Sequence, residues 1–102
     1  MRMLYKVAKA AGVDDQIVAL VERATASGIR AIVIAALKEM VLHLQTHPLH
    51  WGDPEYNMSI PKCIVCRAVL DPLIVRYMVI EEQHVVIIRS LKPLPGSLFE
   101  RN

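Results

Sequence analysis

Three short apolar runs follow one another between residues 62 and 91, and two polar breaks separate them. The breaks are Asp71-Pro72 and the stretch 81–83. Runs rich in Val, Ile and Leu that are bounded by turn residues are typical of strands. The pattern therefore predicts a three-stranded antiparallel meander, and each of its strands carries one arginine: Arg67, Arg76 and Arg89.

The residues before the meander predict one strand and two helices. Residues 3–9 have the composition of a short strand. Asp14 or Asp15 can cap a first helix, because an aspartate oxygen accepts the free backbone N–H groups of the first turn. Ser27-Gly28 then ends that helix. A second helix from Ile29 to about Gln45 carries a wide apolar stripe, so we expect a helical hairpin, or one bent helix, packed on a sheet.

Residues 46–61 predict an irregular connection, because proline and glycine recur there. Trp51-Gly52-Asp53-Pro54 is typical of a tight turn with the tryptophan beneath it. Connections of this length in a small domain are often functional or bind a partner. The predicted order is β-α-α-β-β-β, an α+β fold in which a helical hairpin packs on an antiparallel sheet.

Length and composition fit one domain over residues 1–102. Hydrophobic residues make up 54% of the chain, which is enough to suggest that some apolar surface faces a partner. The formal net charge of +2 is too small to indicate nucleic-acid binding by itself. The first residues lack a long apolar run and a cleavage-type site, and charges interrupt the most apolar helix. We therefore expect a cytoplasmic protein with no membrane segment.

Whether the three arginines meet depends on the lengths of the two turns, since side chains alternate between the faces of a strand. Turns with an even number of residues put Arg67, Arg76 and Arg89 on one face. A three-residue second turn would put Arg89 on the other. Like charges that face each other destabilise a sheet unless water, an acidic partner or a phosphate backbone meets them. The alternative is that the arginines are ordinary surface residues whose stems cover apolar area.

The opposite face of the meander is more uniformly apolar and is the better candidate to lie under the helices. Tyr77 belongs to it by alternation. Beside Arg76 in the sequence, Tyr77 is also a candidate proton donor, although a buried tyrosine of the sheet is the simpler interpretation.

Two further patterns are candidates for a metal or redox site. Cys63 and Cys66 match C-x-x-C, but on a strand the two sulfurs point to opposite faces, which favours a structural role. The second pattern comprises His43, His47, His50 and Asp53. Its first two histidines are one helical turn apart, a spacing that can hold a metal ion. The chain is, however, predicted to leave the helix there, so we expect no metal site and no cofactor.

The element order resembles the RelE/ParE superfamily of bacterial toxin–antitoxin systems. So do the first strand, Leu4-Tyr5-Lys6-Val7, the stretch 76–91 with its acidic turn, and the loop at Trp51–Pro54. The resemblance covers almost the whole chain. It implies a toxin that cleaves mRNA in the ribosomal A site, as RelE-like members do, or inhibits DNA gyrase, as ParE-like members do. It also implies a cognate antitoxin protein, or a second copy of the chain, as partner.

Carried onto this sequence, the resemblance makes the cations of the meander the residues that would position and activate a phosphate. This chain departs from the nucleases at two places. Ile74 stands where they carry an arginine, and Lys92-Pro93-Leu94 keeps one lysine without the tyrosine that often follows. The alternative is therefore a non-catalytic interaction module that binds an antitoxin or itself. The predicted catalytic residues are Arg67, Arg76, Arg89 and Tyr77, and the predicted nucleic-acid-binding residues are Lys62, Arg67, Arg76, Arg89 and Lys92.

Overall fold

Three helices pack on a five-stranded mixed sheet in the computed structural model, which describes residues 4–60, 62–97 and 99. The α+β fold class is thereby confirmed. Met3 of the predicted first strand and Pro61 lie outside the described residues. The elements are β1 (Lys6–Lys9), α1 (Val13–Ala26), α2 (Arg30–Thr46), α3 (Pro48–Trp51), β2 (Asp53–Ser59), β3 (Lys62–Leu70), β4 (Leu73–Ile80) and β5 (Val85–Pro93), with a 3-10 turn at Glu81–Gln83.

The strands lie in the order β1-β5-β4-β3-β2. The pairs formed by β2, β3, β4 and β5 are antiparallel, so the predicted meander is confirmed. The short strand β1, in contrast, runs parallel to β5. The sheet is therefore mixed, and the expectation of a purely antiparallel sheet is wrong at this one edge.

The irregular connection predicted for residues 46–61 is also wrong, because β2 lies within it and forms the other edge of the sheet. Pro54 is compatible with this strand since an edge strand has one side free of ladder hydrogen bonds. The register shifts between Pro54 and Tyr56, which leaves Glu55 in a bulge. Neither alternation nor an apolar run marks β2 in the sequence, because its residues are almost all exposed.

Two separate helices form a hairpin, as the first of the two helical alternatives predicts. The predicted aspartate cap is wrong: Gly12 occupies the N-cap position of α1, and no side chain caps it. Asp14 and Asp15 lie in the first turn instead, where negative charge is favourable next to the helix dipole. Within the described residues, no helix combines the length and the apolar character that a membrane span requires.

The hydrophobic core lies between the helical hairpin and one face of the sheet, as the alternation of apolar residues predicts. Phe99, near the end of the chain, is buried in the same core, and the guanidinium of Arg23 lies 5.3 Å from the centre of its ring. The fully or nearly fully buried side chains include Val13, Leu20, Val33, Met40 and Leu44 from the helices and Cys66, Leu73, Val75, Tyr77, Val79, Val86, Ile88 and Leu91 from the strands.

Tyr77 fastens the corner between α3 and β2 to the middle of the sheet. Its side chain is 0% exposed, its hydroxyl donates a hydrogen bond to the carbonyl of Pro48, and it accepts one from the N–H of Gly52 at 3.0 Å. The indole of Trp51 stacks on the Tyr77 ring, with 5.8 Å between ring centres. A Cβ atom at Gly52 would lie 2.7 Å from the Tyr77 hydroxyl and 2.9 Å from the carbonyl oxygen of Arg67. Glycine is therefore required at this position by close approach.

Gly52→Ala is expected to lower the free energy of unfolding by about 1–3 kcal/mol, because the methyl group overpacks this corner. Urea unfolding measures the change. Tyr77→Phe removes one of the two contacting oxygens, so the same substitution should cost less in that background than in the wild-type protein. Additive effects of the two substitutions would contradict a direct contact between the hydroxyl and position 52.

Alkaline pH is expected to destabilise the protein through Tyr77. Burial raises the pKa of its phenol above the ordinary value of 10.0, so the folded state keeps the neutral form. The stabilisation is complete below pH 10 and is lost as the pH rises further, because only the unfolded chain then ionises. The expected loss from this group is on the order of 1 kcal/mol at pH 11. Urea unfolding from pH 9 to 11 should therefore show a smaller pH dependence for Tyr77→Phe than for wild type and for Tyr56→Phe, an exposed-ring control.

Candidate nucleic-acid interface

The face of the sheet away from the helices, called the open face below, brings Arg67 and Arg76 directly opposite each other. The turn at Asp71-Pro72 has two residues, since Leu70 pairs with Leu73. The second turn has four residues, since Ile80 pairs with Val85. Both turns are therefore even, which is the condition under which the sequence predicts that the arginines share a face.

Arg89 lies on the same face of the sheet, at a bulge in β5. Arg76 pairs with Ser90 and Tyr77 pairs with Ile88, which leaves Arg89 without a partner in the ladder. Its guanidinium donates a hydrogen bond of 3.1 Å to the hydroxyl of Tyr56 on β2. Because β3 and β4 lie between β5 and β2, the Arg89 side chain extends across the open face.

Carboxylates from β2 face two of these arginines. Asp53 is the register partner of Arg67. Glu55, at the bulge, accepts two hydrogen bonds from Arg76, with Nε–Oε1 at 3.0 Å and Nη2–Oε2 at 3.4 Å. Among the described residues, neither Arg67 nor Arg89 forms an ion pair. Arg76 is thus partly neutralised, whereas the other two arginines keep their charge available to an anion.

A shallow depression of about 250 Å³ lies between these side chains. Lys92 joins it from β5, because it is the register partner of Ile74. We call the residues around the depression, together with Arg89, the cationic cluster. The residues that line the depression are Glu55, Arg67, Ile74, Arg76, Ser90 and Lys92.

The other end of the open face is apolar. Val65 is 0% exposed there, although no helix covers it, because the side chains of neighbouring strands close over it. The open face therefore has an apolar half and a cationic half, and Arg89 bonds to Tyr56 where they meet. The apolar half consists of Cys63, Val65 and Ile80, with Met58, Met78 and Ile87 packed against them.

Two residues of the predicted site lie away from the cationic cluster. Tyr77 is buried on the helix-facing side, where both of its hydrogen-bond partners belong to the α3 corner. Lys62 pairs with Ser59 at the far end of β3, roughly 17 Å along the strand from Arg67. The structure thus brings together Arg67, Arg76, Arg89 and Lys92, and separates Tyr77 and Lys62 from them.

Three members of the site were missed from the sequence: Glu55, Tyr56 and Ser90. Glu55 and Tyr56 belong to β2, which the sequence presented as a loop, so no alternation assigned them to a face. Ser90 faces Arg76 only because of the bulge at Arg89. The sequence held one signal for Glu55 and Tyr56: Pro54, because a proline within a strand is typical of a sheet edge.

The two cysteines of the C-x-x-C pattern do not converge on one site. Cys63 and Cys66 are buried in different clusters on opposite faces of β3, and burial raises the pKa of the Cys66 thiol. Within the ranges that the structure describes, no three His, Cys, Asp or Glu side chains converge to hold a metal ion.

Glu55→Gln is expected to tighten binding of inorganic polyphosphate, because it frees Arg76 from its carboxylate partner. The free energy of unfolding should change by less than about 1 kcal/mol, since half-exposed ion pairs contribute little. Titration calorimetry at low salt measures the affinity. Glu22→Gln, an exposed site on α1 with the same change in charge, is the control. Equal effects of the two variants would mean that net charge, and not the cationic cluster, attracts the polyanion.

No protein-family model matches this chain, and no curated protein or solved structure matches it either. The resemblance to the RelE/ParE superfamily therefore rests on the sequence features and on the predicted order β-α-α-β-β-β, to which the structure adds α3 and β2.

Proposed function

We propose that this protein is a toxin-type member of the RelE/ParE superfamily that acts on the translation machinery by binding RNA on its open face. The observation that supports this most directly is the placement of Arg67, Arg76, Arg89 and Lys92 on one exposed half of a sheet face. A net charge of +2 gives no reason to expect such a concentration.

The arrangement suits a phosphate backbone. An arginine guanidinium binds phosphate oxygens through two parallel hydrogen bonds, and it keeps its charge at every physiological pH. Arg67 and Arg76 are direct cross-strand neighbours, a placement that is unfavourable in the free protein. A phosphate bound between them would replace that repulsion with two attractive contacts.

Cleavage of the bound RNA is the finer part of the proposal. Phosphodiester cleavage requires cations that neutralise the charge developing on the phosphate, and groups that move protons. Arg67 and Arg89 supply cations that form no ion pair with a described carboxylate. The proton-transfer candidates lie on β2: Glu55, which is bonded to Arg76, and the hydroxyl of Tyr56, which is bonded to Arg89. Tyr77 is left out of this part of the proposal because it is buried on the other face.

The presence of an isoleucine at position 74 favours RNA binding over efficient RNA cleavage as the function. Ile74 lines the depression at the position where the resemblance places an arginine in the nucleases. Lys92 is its register partner, so a cation stands beside that position from the neighbouring strand.

A second candidate, a non-catalytic module that binds an antitoxin, is favoured by the β2 edge. This strand is seven residues long, pairs on one side with β3, and stands at the end of the strand order. A peptide segment can add to such an edge by main-chain hydrogen bonds. Exposed apolar residues on the helices, Val18, Ile32 and Leu42, offer further area for a partner.

Expression in a bacterial host is expected to arrest growth, and Arg67→Ala/Arg76→Ala/Arg89→Ala is expected to abolish the arrest. The matched control removes three exposed cations elsewhere: Lys6→Ala/Arg30→Ala/Lys38→Ala. This control should arrest growth as wild type does. Circular dichroism must show that all three proteins are folded. Absence of arrest by folded wild-type protein would contradict the toxin proposal and leave the antitoxin-binding module.

Binding to poly-uridylate tests the interface itself, as the second arm of this experiment. Each phosphate contact contributes about 0.7 to the slope of log K against log salt for a single strand. The triple-arginine variant should therefore lose about two units of slope, and the control variant should keep the wild-type slope. Ribosome-dependent mRNA cleavage is then assayed with the same proteins. RNA binding without cleavage would refute the finer part of the proposal alone.

A further inference from the structure

His43 and His47 lie one turn apart at the end of α2, and their imidazoles face each other. Nδ1 of His43 and Nε2 of His47 are 3.0 Å apart. The rings meet edge to face, with an angle of 82° between their planes. This pair lies outside the cationic cluster, and the proposed function makes no use of it.

The neighbours of the two rings determine which nitrogens carry protons. The other nitrogen of His43, Nε2, faces Oε1 of Glu39 at 3.5 Å. A carboxylate at this distance favours the tautomer of the neutral ring that has its proton on Nε2. His43 then has its lone pair on Nδ1.

The same reasoning applies to His47 through Thr46. The Thr46 hydroxyl donates its proton to the carbonyl of Leu42 at 2.7 Å. It can therefore only accept from Nδ1 of His47, which lies 2.8 Å away. His47 then has its lone pair on Nε2, the nitrogen that faces His43.

Two lone pairs consequently face each other across 3.0 Å when both rings are neutral. Either a proton or a metal ion between the two nitrogens makes this arrangement favourable, and the separation fits both. We propose that His43 and His47 form a binding site for a divalent late transition-metal ion, with Glu39 and Thr46 as the residues that orient the two ligands. A carboxylate on the second nitrogen of a ligating histidine is the usual partner in metal sites.

The distance between the nitrogens favours one class of ion. Histidine nitrogens bind such metals at about 2.0–2.1 Å, so two nitrogens 3.0 Å apart subtend an angle of about 90° at the ion. That angle belongs to octahedral or square-planar coordination and is typical of Ni²⁺ and Cu²⁺, whereas tetrahedral Zn²⁺ needs a wider one. A small rotation of each ring directs both lone pairs at an ion beside the line between them.

Water completes the coordination. His47 and Glu39 are exposed, and no third His, Cys, Asp or Glu joins the pair within the part of the chain that the structure describes. The His43 ring is held from its other side by Trp51, whose ring centre lies 5.0 Å away in a stacked arrangement. A bound ion would therefore stiffen the corner between α2 and α3.

Trp51 provides a direct readout, because it is the one tryptophan of the chain and it stacks on a ligand. Titration of the tag-free protein with NiSO₄ at pH 7.5 should quench its fluorescence in a saturable manner. Calorimetry should give one ion per chain, and Zn²⁺ should bind more weakly than Ni²⁺. Affinity should fall in acid, because protons compete for the same nitrogens.

Substitutions at His43, His47 and Glu39 test whether the two histidines bind the metal ion. His47→Ala and His43→Gln should each weaken Ni²⁺ binding at least tenfold, and Glu39→Ala by about 10-fold or more through loss of ligand orientation. His50→Ala, an exposed histidine three residues further on, should bind as wild type does. Circular dichroism identifies any variant that has lost helix, in which case the other histidine variant decides. Absence of saturable binding by wild type, or equal loss in His50→Ala and His47→Ala, overturns the proposal.

Discussion

The pair of hydrogen bonds at the Tyr77 hydroxyl is the constraint on which the layout of this molecule depends. It joins the end of the helical layer, at Pro48, to the start of β2, at Gly52, and holds both against the central strand β4. The backbone of Gly52 can come this close only without a side chain. Because β2 starts at this fixed point, its register on β3 is set, and with it the position of every β2 side chain on the open face.

The register of β2 on β3 determines which charged side chains meet on the open face. Glu55 is turned toward Arg76 by the bulge in β2, and the Tyr56 hydroxyl meets Arg89 after the bulge in β5. Two bulges on opposite sides of the sheet thus adjust the same group of charges. The resulting cluster leaves Arg67 and Arg89 without an ion pair in the described structure, which is the basis for proposing a phosphate-bearing ligand.

The proposed metal site and the cationic cluster lie at the two ends of one short segment. His43 stacks on Trp51, Trp51 stacks on Tyr77, and the next residues of the chain open β2. An ion on the histidine pair would therefore act on the same corner that positions Glu55 and Tyr56. The two sites remain separable, since none of their ligating side chains are shared.

Local patterns determined much of this fold. The apolar runs and their two turns predicted β3, β4 and β5, and the 3.6-residue spacing predicted α1 and α2, because these signals come from each segment's own sequence. Alternation together with even turns predicted the shared face of Arg67, Arg76 and Arg89, and it also assigned Tyr77 to the buried side. Only the tertiary structure decided the rest. Residues 53–59 become a strand because β3 offers them a backbone partner, although their own sequence favours a loop. The bulge at Arg89 places Ser90 opposite Arg76, a shift of register that leaves no mark in the sequence. The approach of the His43 and His47 rings, and their contacts with Glu39 and Thr46, exist only at the folded end of α2, which sets those distances.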